Sequence, residues 1–79
     1  MNAQVIPRKR TSNEGYAESL EALMLRRLGG RVRDLRVVVT DHGITLQGRA
    51  FTYHAKQLAQ HAAMEISGLP VVSNDIEVC

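Results

Sequence analysis

The sequence predicts an α+β two-layer sandwich in the order α-β-β-α-β, a three-stranded mixed sheet with two helices on one face. Three observations predict it. Apolar residues recur at helical spacing before Gly29-Gly30 and alternate after it; Asp41-His42-Gly43 separates two alternating runs; and an alanine-rich stretch of helical period divides that hairpin from a last alternating run. At 79 residues the chain holds one core and one domain.

Residues 1–12 are polar and basic without apolar periodicity and read as a flexible tail, which leaves 13–79 as the domain. Thr11, Ser12 and Asn13 are candidate N-caps, and Thr11 with Glu14 has the spacing of a capping box. Tyr16, Leu20, Leu23 and Leu28, with Ala17 and Met24 beside them, then mark one helical face, which Gly29-Gly30 ends. Over 34–41, Leu35, Val37 and Val39 alternate with Arg36, Val38 and Thr40, as in a half-buried strand. Gly43 can take a positive φ in the turn, after which Ile44 and Leu46 alternate with Thr45, Gln47 and Arg49. Thr52 can cap a second helix whose stripe is Ala55, Leu58, Ala59, Ala62 and Ile66, with Lys56, Gln57, Gln60 and Glu65 toward water. Gly68 and Pro70 stop it, and Val71–Val78 forms the third strand with Val72, Ile76 and Val78 on one face. A right-handed crossover sets this strand parallel to the second and, on this reading, beside the first. The other sheet face, with Arg36, Val38, Thr40, Thr45, Gln47 and Arg49, is left open.

A hydrophobic share of 44% and a charged share of 23% are those of a globular protein and argue against a disordered one. A chain this short buries only about 60% of its unfolded surface, so its core is thin and a dimer would relieve it. The single cysteine, Cys79, can close no internal disulfide. The first ten residues lack the apolar run of a secretory leader, so a cytoplasmic setting is expected for the chain as given. No apolar stretch approaches the roughly 18 residues that span a bilayer, which makes any membrane contact peripheral.

Residues 35–48, LRVVVTDHGITLQG, resemble the hairpin of the BON domain: a valine-rich strand, a turn glycine and a short alternating strand ending in glycine. Gly68, Leu69, Val72, Asn74, Ile76 and Val78, after an alanine-rich helix, resemble that family's closing pattern. The resemblance covers most of residues 16–78. It implies an α/β sandwich of this size from bacterial envelope and stress proteins, a phospholipid-binding or interaction module with no catalytic residues, and a periplasmic or envelope setting as the alternative to the cytoplasm.

The residues themselves offer no convergent catalytic set, so no enzyme activity is expected. His54 and His61 are seven apart on the second helix, about 10 Å along its axis at about 1.5 Å per residue, too far to share one metal ion. His42 reads as a polar turn tip, and Cys79 as a plain thiol at a terminus. Glu14, Glu18 and Glu21 suit the positive end of a helix dipole better than proton transfer. Gly29-Gly30 lacks the preceding strand and following lysine of a P-loop. Neither a metal nor a cofactor is expected.

Charge is the uneven feature. Arg26, Arg27, Arg31, Arg33 and Arg36 stand against Asp34 alone, a local net of +4 in a chain of net +2. A guanidinium forks onto phosphate through parallel hydrogen bonds, so these five arginines are the candidate site for an anionic partner, either anionic phospholipid or an acidic protein surface. At about 1 kcal/mol per basic residue near an anionic membrane, a net of +4 yields roughly 4 kcal/mol and only a millimolar constant. Useful affinity needs the tail, an inserted apolar residue or several copies together. The alternative function is structural or regulatory self-association, a homo-oligomer formed through the open sheet face and strand edges. Nucleic acid is the least favoured partner, because Tyr16, Phe51 and Tyr53 do not line a strand as stacking platforms do.

Overall fold

The computed structural model describes the backbone from Val5 to Cys79 and the side chains from Gly15 onward. Its elements are α1 (Val5–Leu28), a single 3-10 turn (Gly29–Arg31), β1 (Val32–Thr40), β2 (Gly43–Ala50), α2 (Tyr53–Ser67) and β3 (Val71–Val78). The order is α-β-β-α-β, and the three strands form one mixed sheet, so the fold is the α+β fold expected.

Helix α1 begins at Val5, so Thr11, Ser12 and Asn13 lie inside it and not at its start. The expected capping box of Thr11 and Glu14 rests on side chains outside the described set. Of the flexible basic tail expected over residues 1–12, residues 1–4 lie outside the described residues, while 5–12 belong to the helix backbone. The buried row of α1 is Leu20, Met24 and Leu28, each at most 2% exposed, whereas Leu23 is 45% exposed. Spacings of three and four both satisfy helical periodicity. The straight row of fours is the one that packs here: it leaves Leu23 to one side, and Tyr16, on the same row one turn earlier, is 41% exposed.

Helix α2 is defined at both ends by its own sequence. Thr52 Oγ1 accepts from Ala55 N–H at 3.0 Å, and Gly68, at φ 74°, donates its N–H to the Met64 carbonyl. Between them Ala55, Ala59, Ala62 and Ala63 are buried, with Leu58 and Ile66 packed partly against the core. These small residues let the helix lie close on Ile44, Leu46 and Ile76, which are at most 1% exposed.

The hairpin pairs in the register Thr40↔Gly43 to Arg36↔Gln47, then shifts by one residue so that Arg33 faces Arg49. Asp34 and Leu35 together oppose Gly48 in a β-bulge, with Asp34 at φ 54°. The extra residue lets Val32 and Leu35, three apart, both point into the core. It also crowds Gly48: a Cβ there would stand 3.0 Å from the Arg33 carbonyl oxygen and 3.3 Å from that of Asp34.

β3 runs parallel to β2 and lies beside it, giving the order β1-β2-β3. This corrects the expectation that the third strand sits beside the first. Only three residues separate the end of α2 from β3, and the chain there is tied to the start of β2, where Ile44 N–H donates to the Pro70 carbonyl at 2.9 Å. With α1 packed on β1, the chain leaving α2 lands next to β2.

A second correction concerns the faces of β3. Val71 pairs with Ile44 but Thr45 pairs with Ser73, so Val72 is the extra residue of another irregularity, and it is 51% exposed. Ile76 alone of the expected trio is buried; Val78, at the strand's end, is 45% exposed.

Both edge strands have a backbone donor satisfied by a side chain. On β1, Val37 N–H donates to Glu21 Oε2 of α1 at 2.9 Å. On β3, Ile76 N–H donates to Asn74 Oδ1, while Asn74 Nδ2 reaches the Lys56 carbonyl and Gln60 Oε1 on α2. Such contacts blunt the edges as templates for another strand.

Candidate functional site

Glycine at the end of α1 permits a tight exit: Gly29 has φ 65°, and the single 3-10 turn passes directly into β1. The five candidate arginines sit along this path, and the fold divides them. Arg26 and Arg27 lie in the last turn of α1, Arg31 ends the 3-10 turn, and Arg33 and Arg36 are on β1. All five are exposed.

Arg27 and Arg31 line a shallow groove between the helices with Leu58, His61 and Glu65. Arg27 Nη1 is ion-paired with Glu65 across that groove, so its charge is already matched locally. The pair joins half- to two-thirds-exposed side chains and adds little stability. Arg31 leans toward the helix end, its Nη1 3.5 Å from the Leu28 carbonyl, with no carboxylate within 4.0 Å among the described residues.

Arg36 lies apart, in a recess it shares with Glu18 and Glu21 of α1. Glu21 serves the helix-strand contact by accepting from Val37, and because α1 begins at Val5, Glu14, Glu18 and Glu21 lie well past its first turn, which corrects their expected place at the positive end of the helix dipole. His42, His54 and His61 are each exposed, and among the described residues no group of three potential metal-ligating side chains comes together.

Arg33 is the member that acquires new neighbours. Its guanidinium stands 5.8 Å from the centroid of the Phe51 ring, a cation–π distance, and its strand partner is Arg49. Asp34, Ala50 and Cys79 complete this recess at one end of the sheet. Ion pairing is absent from it: among the described residues the one ion pair within 4.0 Å is that of Arg27 with Glu65, which leaves Arg26, Arg31, Arg33, Arg36 and Arg49 without a carboxylate partner.

Sequence reasoning missed Arg49 and Phe51. Arg49 was detectable in principle, since a turn at Asp41-His42 sets strand residues opposite one another. The bulge at Asp34 then decides that Arg33, and not Asp34, faces it. Phe51 lies between the end of β2 and the Thr52 cap, outside any periodic pattern, and only its 61% exposure singles it out.

The open sheet face is divided by charge. Its β1 and β2 columns present Arg33, Arg36 and Arg49, and its β3 column presents Asp75 and Glu77, which pair in register with Gln47 and Arg49. No helix of the described residues is long and apolar enough to cross a membrane.

The family model of the BON domain matches residues 13–79, from within α1 to the last residue of the chain. No curated protein and no solved structure matches the chain. The matched segment contains the whole sheet, α2 and the arginine-bearing end of α1, and the observed element order is the one that the hairpin and closing patterns imply. The chain belongs to the BON-domain family.

Proposed function

We propose that this domain docks on anionic phospholipid surfaces, led by Arg26, Arg31 and Arg33, with Arg27 and Arg36 in secondary places. Phospholipid binding is the activity ascribed to BON domains, which are binding modules of envelope-associated proteins, and an envelope setting fits this reading. The observation that carries it is the set of exposed guanidinium groups without a carboxylate partner among the described residues. A solvated cluster kept only for solubility would be expected to pair with nearby acids. Here Glu65 takes Arg27 alone.

The magnitudes separate the five. Each basic residue near an anionic surface contributes about 1 kcal/mol, so Arg26, Arg31 and Arg33 together supply about 3 kcal/mol. Arg27, matched by Glu65, and Arg36, beside Glu18 and Glu21, add less. Vesicles carrying anionic lipid should retain the protein at low salt and release it as salt screens the contact. The triple change of Arg26, Arg31 and Arg33 to Ser should weaken retention about a hundredfold, and Arg27→Ser only a few-fold. Equal retention on neutral and anionic vesicles, or indifference to the triple change, would remove this reading.

A second reading, self-association through the open sheet face, is favoured by the division of that face into basic and acidic columns, which a second copy could complement. The satisfied donors on β1 and β3 weigh against association through the strand edges. Sedimentation of the vesicle-free sample as a monomer at high concentration counts against this second reading.

A further inference from the structure

We propose that Phe51 is the side chain this domain lowers into the bilayer, with Arg33 and Arg49 gripping phosphate on either side; the inference rests on the lipid-docking reading above. The arginines alone are too weak for useful affinity, and an inserted apolar group adds to them. Phe51 and Tyr53 are the most exposed large apolar side chains among the described residues, at 61% and 63%, and they lie two positions apart on the connection from β2 to α2.

That connection is held from both sides. Cys79 N–H donates to the Ala50 carbonyl at 2.9 Å, Ala50 itself is 2% exposed, and Thr52 closes the first turn of α2. A ring carried on a pinned backbone loses little freedom on insertion. Its neighbour in space is a guanidinium, and Arg49 stands opposite Arg33 in register. Two cations at the base of an exposed ring match a membrane interface, where phosphates lie above the acyl chains and a tyrosine keeps its hydroxyl at headgroup level. Asp34 shares the recess and Glu77 stands beside Arg49 in register, so these acids partly offset the two arginines.

The opposite end of the sheet provides the contrast. Val72 is also half exposed, but it lies by Gly43 and the Asp41-His42 turn, where no arginine is present. Among the described residues, the most exposed large apolar side chains stand beside unpaired positive charge at the Phe51 end.

The chain contains no tryptophan, so the emission of a Phe51→Trp variant reports on that position alone. On anionic vesicles its emission should shift to the blue and be quenched by brominated acyl chains, while inorganic phosphate should leave it unshifted. Phe51→Ser should weaken vesicle retention about tenfold, and Val72→Ser should leave it unchanged. Retention of Phe51→Trp with emission still at the solvent-exposed position would overturn insertion while leaving lipid docking in place. Loss of retention by Val72→Ser equal to that by Phe51→Ser would overturn it as well. Failure of the unaltered protein to bind anionic vesicles would remove the docking reading itself, and this inference with it.

Discussion

Gly43→Ala is expected to lower the unfolding free energy by about 3 kcal/mol and the midpoint of thermal unfolding by about 15 °C, read by circular dichroism. Gly43 opens β2 at φ 142°, a backbone conformation that residues with a Cβ rarely adopt. The space is also taken. An added Cβ would collide with the Pro70 carbonyl oxygen and come within 3.2 Å of the Pro70 ring and the Val72 side chain. That carbonyl cannot retreat freely, because it accepts the Ile44 N–H that ties β2 to the start of β3. A substitution in an ordinary hairpin turn would cost much less, so the size of the effect reports the parallel pairing of β3 with β2. A loss below about 1 kcal/mol would contradict that arrangement.

Leu46→Ala is expected to cost about 3 kcal/mol in chemical denaturation, by removing methyl groups from the middle of the core. Leu46 is on the central strand, fully buried, between Val37 of β1 and Asn74 of β3 in the sheet register. Every strand and both helices contribute to this one cluster, and four of its members are alanines of α2 that cannot expand into a cavity. The loss is large for a chain of 79 residues, whose whole stability is roughly 4–12 kcal/mol at typical per-residue values. Val38→Ala, on the open face of the neighbouring strand, should cost well under 1 kcal/mol.

The sequence carried the two layers and the order of elements because the change from helical to alternating spacing at Gly29-Gly30 is abrupt, and because Leu35, Val37, Ile44 and Leu46 keep a strict period of two. It carried α2 for the same reason, with Thr52 and Gly68 as its punctuation. What it concealed lies at the irregularities. Val32 and Leu35 are three apart, a spacing that looks wrong for a strand until the bulge at Asp34 restores the pleat, so β1 was expected to begin at 34 when it begins at Val32. One extra residue at Val72 reversed a face assignment in β3. Neither irregularity has a local signature in composition.

The candidate site divides along the same line. Five arginines in eleven positions were visible as a charge cluster, but charge density along a chain says nothing about which groups a fold neutralises. Glu65 and Glu21 are 38 and 16 residues away from the groups they bond, so the quieting of Arg27 and the capping of the β1 edge required tertiary structure. Arg49 and Phe51 likewise gain meaning only when the hairpin brings them to Arg33.

Amide hydrogen exchange on the unaltered protein, with and without anionic vesicles, tests most directly whether this end of the molecule meets lipid. Slower exchange confined to residues 26–34 and 49–54, with the Asp41-His42 turn and β3 from Ser73 to Asp75 unchanged, is the result expected. Slowing centred on that turn or on β3, with 26–34 and 49–54 unaffected by bound vesicles, would contradict the account.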